Sequence, residues 1–545
     1  MKVGEAVAAT MKAEGIEILC GYPVNHLIEF AAAIDIRPVM VRQERIGLHM
    51  ADAISRVTSG KTIGAFCMQS GPGAENAYGG VAQAYAESAP LLVLPGGYDR
   101  RKAYIDPNFS SVMQMRGVSK SAEPINLAAE VPNIMRRAFT RLRNGRGGPA
   151  IVEIPGDMWN EEVPDFDYKP VLATRYGPDP VHVKDAAQML LKAKRPVLYA
   201  GQGVHYAQAW SQLKELAELL AIPVVTSLGG KSAFPENHPL SLGSGGVAMQ
   251  RTVPHFLGAA DLIFGIGCSF TTTNYGVAMP KGKTIIHATL DPADVNKDVR
   301  CEHALIGDAG LTLEALLVEV KDRLKGKPRG RGPAVAAEIK RLKGEWMAQW
   351  MPKLTSSAKP ISPYRVIRDL LQTVDPARTI ITHDAGSPRD QISPFWECTE
   401  PLSYIGWGKT TQLGYGLGLA MGAKLAHPDK LCINVWGDAA IGFTGMDFET
   451  AVRERIPILS VLLNNFSMAI ELPIMKTATE KFRSTDISGN YADMARAFGG
   501  YGERVTEPGD IVPAIQRAVK KTEEGIPVLL EFITEKEIEF SIYKY

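Results

Sequence analysis

Residues 431–465 constrain this chain more than any other stretch. An apolar run over 431–436 breaks at Gly437-Asp438, residues 446–455 follow a helical period, and 456–463 is apolar and β-branched again before Asn464-Asn465. The pattern is strand, helix, strand. Two strands joined by a helix run parallel and deliver their carboxyl ends to one edge of the sheet, where open α/β folds bind ligands. Asp438 is therefore predicted to meet Asn464-Asn465. One carboxylate, one amide oxygen and a nearby backbone carbonyl form a half-shell of hard oxygens, suited to a magnesium ion that completes its octahedron with phosphate oxygens. A helix expected to open after Gly442 would turn its positive end toward the same edge.

The chain has 545 residues, too many for one hydrophobic core, and the length prior suggests about three domains. Helices and short strands alternate over residues 1–164, beginning with an amphipathic helix near the start. A second alternating pattern begins near Asp185 and a third follows Pro360. Such alternation predicts doubly wound parallel sheets. The expected fold class is α/β with three such domains: 1–170, 183–322 and 346–545, with a linker and leading helix at 323–345. Residues 324–333 are basic and rich in Gly and Pro, so they read as a solvated connection. No aromatic residues interleave those charges, which argues against nucleic acid.

Two stretches of the first domain carry chemistry. Glu44 follows an apolar strand and opens a helix, so burial at the sheet edge should raise its pKa, a useful condition for a proton relay. Gly71-Pro72-Gly73, followed by Asn76, permits close backbone approach to a flat ring.

These motifs together resemble the thiamine diphosphate-dependent enzymes, and the acetolactate synthases among them most. Gly437-Asp438-Ala439, followed 26 residues after Asp438 by Asn464-Asn465, is similar to the family's cofactor and magnesium motif, and Glu44 with Gly71, Pro72, Gly73 and Asn76 is similar to its pyrimidine-binding motifs. The resemblance implies a pyrimidine-binding domain, a central domain and a diphosphate-binding domain, in that order. It implies that Asp438, Asn465 and the carbonyl of Ser467 hold magnesium, and that Gly437, Ala439, Ala440, Met468 and Ser387 lie along the diphosphate. Leu413 would wedge between the cofactor's rings, and the carbonyl near Thr411 would receive its amino group. Glu44 of one subunit would protonate the aminopyrimidine ring of a cofactor held by another, so a homodimer or homotetramer is implied.

The activity implied is carbon–carbon bond cleavage and carboligation on 2-oxo acids, ending in an acyloin as in the acetolactate synthases. Glu471 stands at a spacing similar to the catalytic Glu of 2-oxo acid decarboxylases and favours the alternative of aldehyde release. Asn25, His26 and Gln114 are further candidates for the substrate pocket, although Asn25 stands where those decarboxylases have Asp. A lyase acting on 2-hydroxyacyl-CoA or oxalyl-CoA and, from another class, a flavin-dependent 2-oxo acid oxidase are the remaining alternatives.

Several residues depart from the family pattern. Ala439 stands where Gly is usual, which matters if the backbone there takes a positive φ. Ala440 replaces a residue that is often Ser. The central domain binds FAD in some members, ADP in others and nothing in many. Here Gly201-x-Gly203 is only a fragment of a phosphate turn, Ser269 replaces the usual Arg, and the acid pair is reduced to Asp291. These residues favour a structural central domain over a flavin site.

Charge is balanced, with 60 Lys+Arg against 59 Asp+Glu, so a small-molecule partner is expected and neither nucleic acid nor an anionic membrane is. Six scattered cysteines (Cys20, Cys67, Cys268, Cys301, Cys398, Cys432) without a Cys-x-x-Cys pair suggest reduced thiols and a cytoplasmic protein. No apolar run approaches membrane-spanning length and no secretory signal opens the chain. The mixed tail, residues 535–545, is expected to fray, with a lid folded over a pocket as the alternative.

Overall fold

The computed structural model describes residues 1–543. Among them, three six-stranded sheets form, with every strand pairing parallel. The first contains β1 (Ile18–Gly21), β2 (Arg37–Met40), β3 (Gly64–Met68), β4 (Leu91–Gly97), β5 (Ser121–Pro124) and β6 (Pro149–Pro155), in the order β2-β1-β3-β4-β6-β5. The second contains β7 (Pro196–Ala200), β8 (Val224–Ser227), β9 (Ser241–Gly245), β10 (Leu262–Ile266), β11 (Thr284–Thr289) and β12 (His303–Ile306), in the order β12-β11-β10-β7-β8-β9. The third contains β13 (Thr379–His383), β14 (Tyr404–Ile405), β15 (Leu431–Gly437), β16 (Leu459–Asn464), β17 (Tyr501–Val505) and β18 (Val528–Ile533), in the order β14-β13-β15-β16-β18-β17. Strands such as β3, β6 and β16 are buried at every position, which is why they read as continuous apolar runs rather than alternating ones.

The first and third sheets share one topology. In each, strand order reverses between the first and third strands, β1 and β3 or β13 and β15, and this is where doubly wound sheets place their ligands. The second sheet reverses between β7 and β10. There the glycines that suggested a phosphate turn have another use. A Cβ on Gly201 would lie 2.4 Å from the Gly267 carbonyl oxygen, and one on Gly203 would lie 2.7 Å from the Gly267 Cα. These glycines thus serve the close packing of the turns after β7 and β10.

The chain packs as two compact units. One comprises residues 1–174, 414–429 and 443–458, and the other 175–413, 430–442 and 459–545. In the first, helix Glu44–Val57 lies directly against helix Tyr415–Ala426, where a Cβ on Gly418 would approach the His49 Cβ to 2.5 Å and one on Gly422 the Met50 carbonyl oxygen to 2.1 Å. Only glycine permits that approach. Asp52 of the former helix is fully buried, accepts a hydrogen bond from the Tyr415 hydroxyl and forms an ion pair with Arg56, Nε to Oδ1 2.9 Å. In the second unit, apolar clusters cover both faces of the second sheet and one face of the third.

The tail corrects the expectation of fraying as far as it is described. The Trp346 indole donates to Ser541 Oγ (2.8 Å), Tyr364 donates to the Glu539 carbonyl (2.6 Å), and Lys353 pairs with Glu537 (2.6 Å). The polar ends of buried aromatic residues on preceding helices need partners, and residues 535–541 supply them. Lys544 and Tyr545 lie outside the described residues. Among the described residues no disulfide forms, and five of the six cysteines are buried. Among the described residues no helix is long and apolar enough to cross a membrane.

Candidate active site

Asp438 lies at the carboxyl end of β15, at the switch point of the third sheet. It is 3% exposed. Its Oδ1 accepts the Ala439 N–H and its Oδ2 the Ser467 N–H, each at 3.0 Å, and the Ser467 N–H is shared with Asn465 Oδ1 at 3.0 Å. The strand–helix–strand unit has therefore brought Asp438, Asn465 and Ser467 together. Burial pushes the Asp438 carboxyl up to about 6, against the opposing pull of the backbone N–H groups of Ser467, Ala439, Phe466 and Asn465. Among the described residues no Lys or Arg forms an ion pair with it.

A cleft opens beside Asp438. Mostly small residues line it: Gly386 and Ser387 after β13, Gly437 at the end of β15 with Ala439 and Ala440 after it, and Ser467 and Ala469 after β16, with Met468 between them. Leu413 contributes an apolar wall. The lining contains two carboxylates, Asp438 and Glu535, and no Lys, Arg or His. The Ser467 hydroxyl is buried with no partner. A diphosphate entering this cleft would meet net negative charge unless a divalent cation came with it. The donor set of carboxylate, amide and backbone oxygens is that of magnesium rather than of a softer metal.

The local backbone corrects one expectation and resolves another. A helix begins at Asp438 itself and runs to Thr444, instead of opening after Gly442, and a second, Phe448–Arg453, follows a 3-10 turn at Gly445–Asp447. The small residues of 438–444 carry no apolar stripe, so periodicity reveals only the later part. Ala439 lies in the first of these helices and is not among the residues with positive φ. Alanine in place of the usual glycine costs nothing there.

In the first unit, Glu44 is the first residue of helix Glu44–Val57 and is 6% exposed. Burial raises its pKa, while its own backbone N–H and the Asn76 side chain pull it back. Gly71, with φ of 62°, caps helix Pro72–Ala86 in a conformation that favours glycine, and Pro72 occupies the first turn. A Cβ on Gly73 would stand 3.4 Å from Glu44 Oε1. The two pyrimidine-motif stretches thus meet at one carboxylate. They do so near the β1/β3 switch point, where Asn25 ties strand ends together: its Nδ2 donates to the Met68 (2.8 Å) and Leu94 (3.2 Å) carbonyls, and its Oδ1 accepts the Leu27 N–H (2.9 Å).

The remaining candidates stand apart from these clusters. The His26 ring packs against Trp159, with centroids 5.6 Å apart, and Gln114 is exposed on helix Ser111–Met115. Thr411 is half-buried in the segment leading to Leu413 and does not line the cleft. Glu471 follows the lining residue Ile470 but is not itself in the lining. Sequence reasoning passed over Ile470, Thr534 and Glu535, which line the cleft, and Glu531, which underlies it. Glu531 carried a signal: it is the single charge in the apolar run Val528–Ile533 of a central strand.

Comparison with known proteins agrees with this geometry. Residues 1–117 match the N-terminal TPP binding domain of the thiamine pyrophosphate enzymes, 183–316 their central domain and 384–532 their C-terminal TPP binding domain. The chain is similar to a probable acetolactate synthase large subunit of Methanocaldococcus jannaschii, at 29% identity over 98% of this chain and 92% of the relative. It is similar to acetolactate synthase isozyme 3 large subunit of Escherichia coli, at 28% over 97% and 94%. It is also similar to an Escherichia coli glyoxylate carboligase, at 27% over 98% and 93%. Among solved structures, benzoylformate decarboxylase from Polynucleobacter necessarius shares the fold, with a TM-score of 0.83, 21% identity and coverage of 99% of this chain and 100% of that one. With all three domains matched in order around the residues that cluster at Glu44 and Asp438, the chain belongs to the thiamine pyrophosphate enzymes and is an enzyme of the acetolactate synthase type.

Proposed function

We propose that this protein decarboxylates a 2-oxo acid and joins the remaining fragment to a second carbonyl compound, using thiamine diphosphate and magnesium. Bound thiamine diphosphate supplies the electron sink for making and breaking a carbon–carbon bond next to a carbonyl. Asp438, Asn465 and the Ser467 carbonyl hold the magnesium ion. Gly437, Ala439, Ala440, Ser387, Met468 and the unpartnered Ser467 hydroxyl line the diphosphate. Leu413, an apolar wall of the cleft, and the segment at Thr411 would hold the cofactor's rings. Glu44, whose pKa burial raises, would donate a proton to the cofactor's ring nitrogen. Gly71, Pro72, Gly73 and Asn76 shape the surface around that carboxyl.

The observation that carries this reading is Asp438, a buried carboxylate without a cationic partner in a cleft lined by no cationic side chain. Glu44 of one copy serves the Asp438 cleft of another, so the working form is a homodimer or homotetramer. A flavin has no part in this reading, and a yellow purified protein would favour a 2-oxo acid oxidase instead. Glu471 lies one residue past the cleft lining and is the group best placed by sequence to return a proton to the product side, with aldehyde release as the result.

The deciding experiment incubates protein, thiamine diphosphate and magnesium with pyruvate and a panel of larger 2-oxo acids, following carbon dioxide and product by NMR. Acyloin formation with carbon dioxide release is the expected outcome. Free aldehyde alone would replace carboligation with simple decarboxylation, and no turnover of any 2-oxo acid would sink both.

A further inference from the structure

The loop that carries Asn465 and Ser467 is held from beneath by one residue that touches neither cation nor cofactor. Glu531, on β18 beside β16, is fully buried. Its Oε1 accepts Asn464 Nδ2 at 2.7 Å and an Arg504 guanidinium nitrogen at 2.9 Å. Its Oε2 accepts the Ala492 N–H at 2.9 Å and Arg504 Nε at 3.1 Å. The amide of Asn464 continues the chain upward, its Oδ1 accepting the Phe466 N–H at 3.0 Å. Phe466 has φ of 56°, a left-handed conformation that a bulky residue rarely adopts and that persists only when its surroundings enforce it. That turn aims Asn465 Oδ1 and the Ser467 backbone toward Asp438.

The same carboxylate fixes the far end of the excursion. Ala492 lies in the first turn of helix Tyr491–Ala497, and the Tyr491 hydroxyl reaches the Ser488 carbonyl at 3.1 Å and the Asp438 carbonyl at 3.4 Å. Residues 465–491 therefore leave the third sheet and return to it at one buried anion. We propose that Glu531 is a positioning residue for the magnesium site, acting through Asn464 to hold the turn at Phe466 in the shape that places the Asn465 and Ser467 oxygens on the cation. This inference rests on the assignment of the metal to Asp438, Asn465 and Ser467.

Outer partners that orient metal ligands typically cost about 10–100-fold in metal affinity when removed. Glu531→Gln replaces one acceptor with a donor and leaves an N–H facing a donor. Asn464→Ala removes the bridge but keeps Glu531 paired with Arg504 and Ala492. Both should raise the magnesium dissociation constant roughly 10-fold or more, read by tryptophan fluorescence or calorimetry on metal-free protein with saturating thiamine diphosphate. The loss in turnover should recover as magnesium is raised. Combining Asn464→Asp with Glu531→Gln returns a hydrogen bond of reversed sense and should recover most of the affinity, which a merely structural role in stability would not predict.

Asp438→Asn is measured alongside. If it leaves magnesium binding intact, the metal assignment itself fails. If it abolishes binding while Asn464→Ala and folded Glu531→Gln bind magnesium within twofold of the parent, the positioning role is overturned and the assignment stands. Should Glu531→Gln not fold, Asn464→Ala alone decides.

Discussion

Glu44 and Asp438 open helices in two sheets of one topology, Glu44 after the edge strand β2 and Asp438 after β15, the counterpart of β3. Each is the first residue of a helix, near the switch point of a β2-β1-β3-β4-β6-β5 type of sheet, and each is at most 6% exposed. Burial raises the pKa of both. Their surroundings then separate them. Asp438 Oδ1 is met by the Ala439 N–H of its own helix and Oδ2 by the Ser467 N–H of the loop after β16, dipoles that favour an anion and orient it for a cation. Glu44 has the Asn76 side chain as a hydrogen-bond partner, and its Oε1 lies close against Gly73. A carboxylate held by dipoles suits a metal ligand, whereas one surrounded mainly by apolar groups suits a proton carrier.

The largest test of that contrast is Glu44→Gln. It keeps size and hydrogen-bonding capacity but removes the titrating proton, so turnover should fall about 100- to 10,000-fold, the range for a lost general acid–base step. Thiamine diphosphate and magnesium affinities, measured by calorimetry, should stay within a few-fold. Asp438→Asn should give the opposite pattern. Magnesium-dependent cofactor binding should weaken roughly 100-fold or more, beyond the usual cost of outer partners, with the fold intact by circular dichroism. If the two substitutions behaved alike, the division of labour between the sheets would be wrong.

How much of this was readable before the fold is itself a matter of where the chain's signals are local. The doubly wound sheets were legible because buried parallel strands are short apolar runs separated by helical periods. Strand β7 and helix Trp210–Leu220 lie where the pattern puts them. The meeting of Asp438 with Asn465 was legible because parallel strands must share an edge, whereas Ser467 was legible only through the family resemblance. The helix at Asp438–Thr444 was not, since Ala439, Ala440 and Gly442 give no amphipathic stripe. Glu531 was visible only as a misplaced charge, because its partners, Asn464, Ala492 and Arg504, are scattered along the chain and only tertiary pairing makes them neighbours. The use of Gly201 and Gly203 for close packing against Gly267 was likewise hidden, since a glycine pattern does not state what approaches it.

A smaller effect separates the two carboxylates by pH. The folded pKa of Glu44 lies above its ordinary value of 4.5 because of burial. Below that ordinary value the proton is bound in both folded and unfolded chains, so its contribution to stability is fully present. As pH rises from there through the folded pKa, the buried group must ionise and that contribution is lost. Glu44→Gln cannot titrate. The stability of the parent relative to this variant, from denaturant midpoints of cofactor-free protein between pH 4 and pH 8, should therefore be highest at the acid end and decline as pH rises. A flat difference would mean that Glu44 is solvated in the folded chain.

The smallest expected effect probes the residue that distinguishes the Glu44 environment from a purely apolar one. The Asn76 side chain hydrogen-bonds the Glu44 carboxyl and favours its ionised form, so it restrains the rise that burial imposes. Asn76→Ala removes that restraint without touching the carboxyl, and the Glu44 pKa should move further up. Because the protonated form is the one that donates to the ring, the alkaline limb of the turnover profile should shift to higher pH. The acid side should change by less than about twofold, since Glu44 is already protonated there. Asn76 is exposed at the helix surface, so the substitution should leave the thermal midpoint nearly unchanged, as surface changes usually do. A limb that moved down instead would show that Asn76 donates to the neutral acid rather than to the anion, and would reverse the assignment of Glu44 as a group tuned to hold its proton.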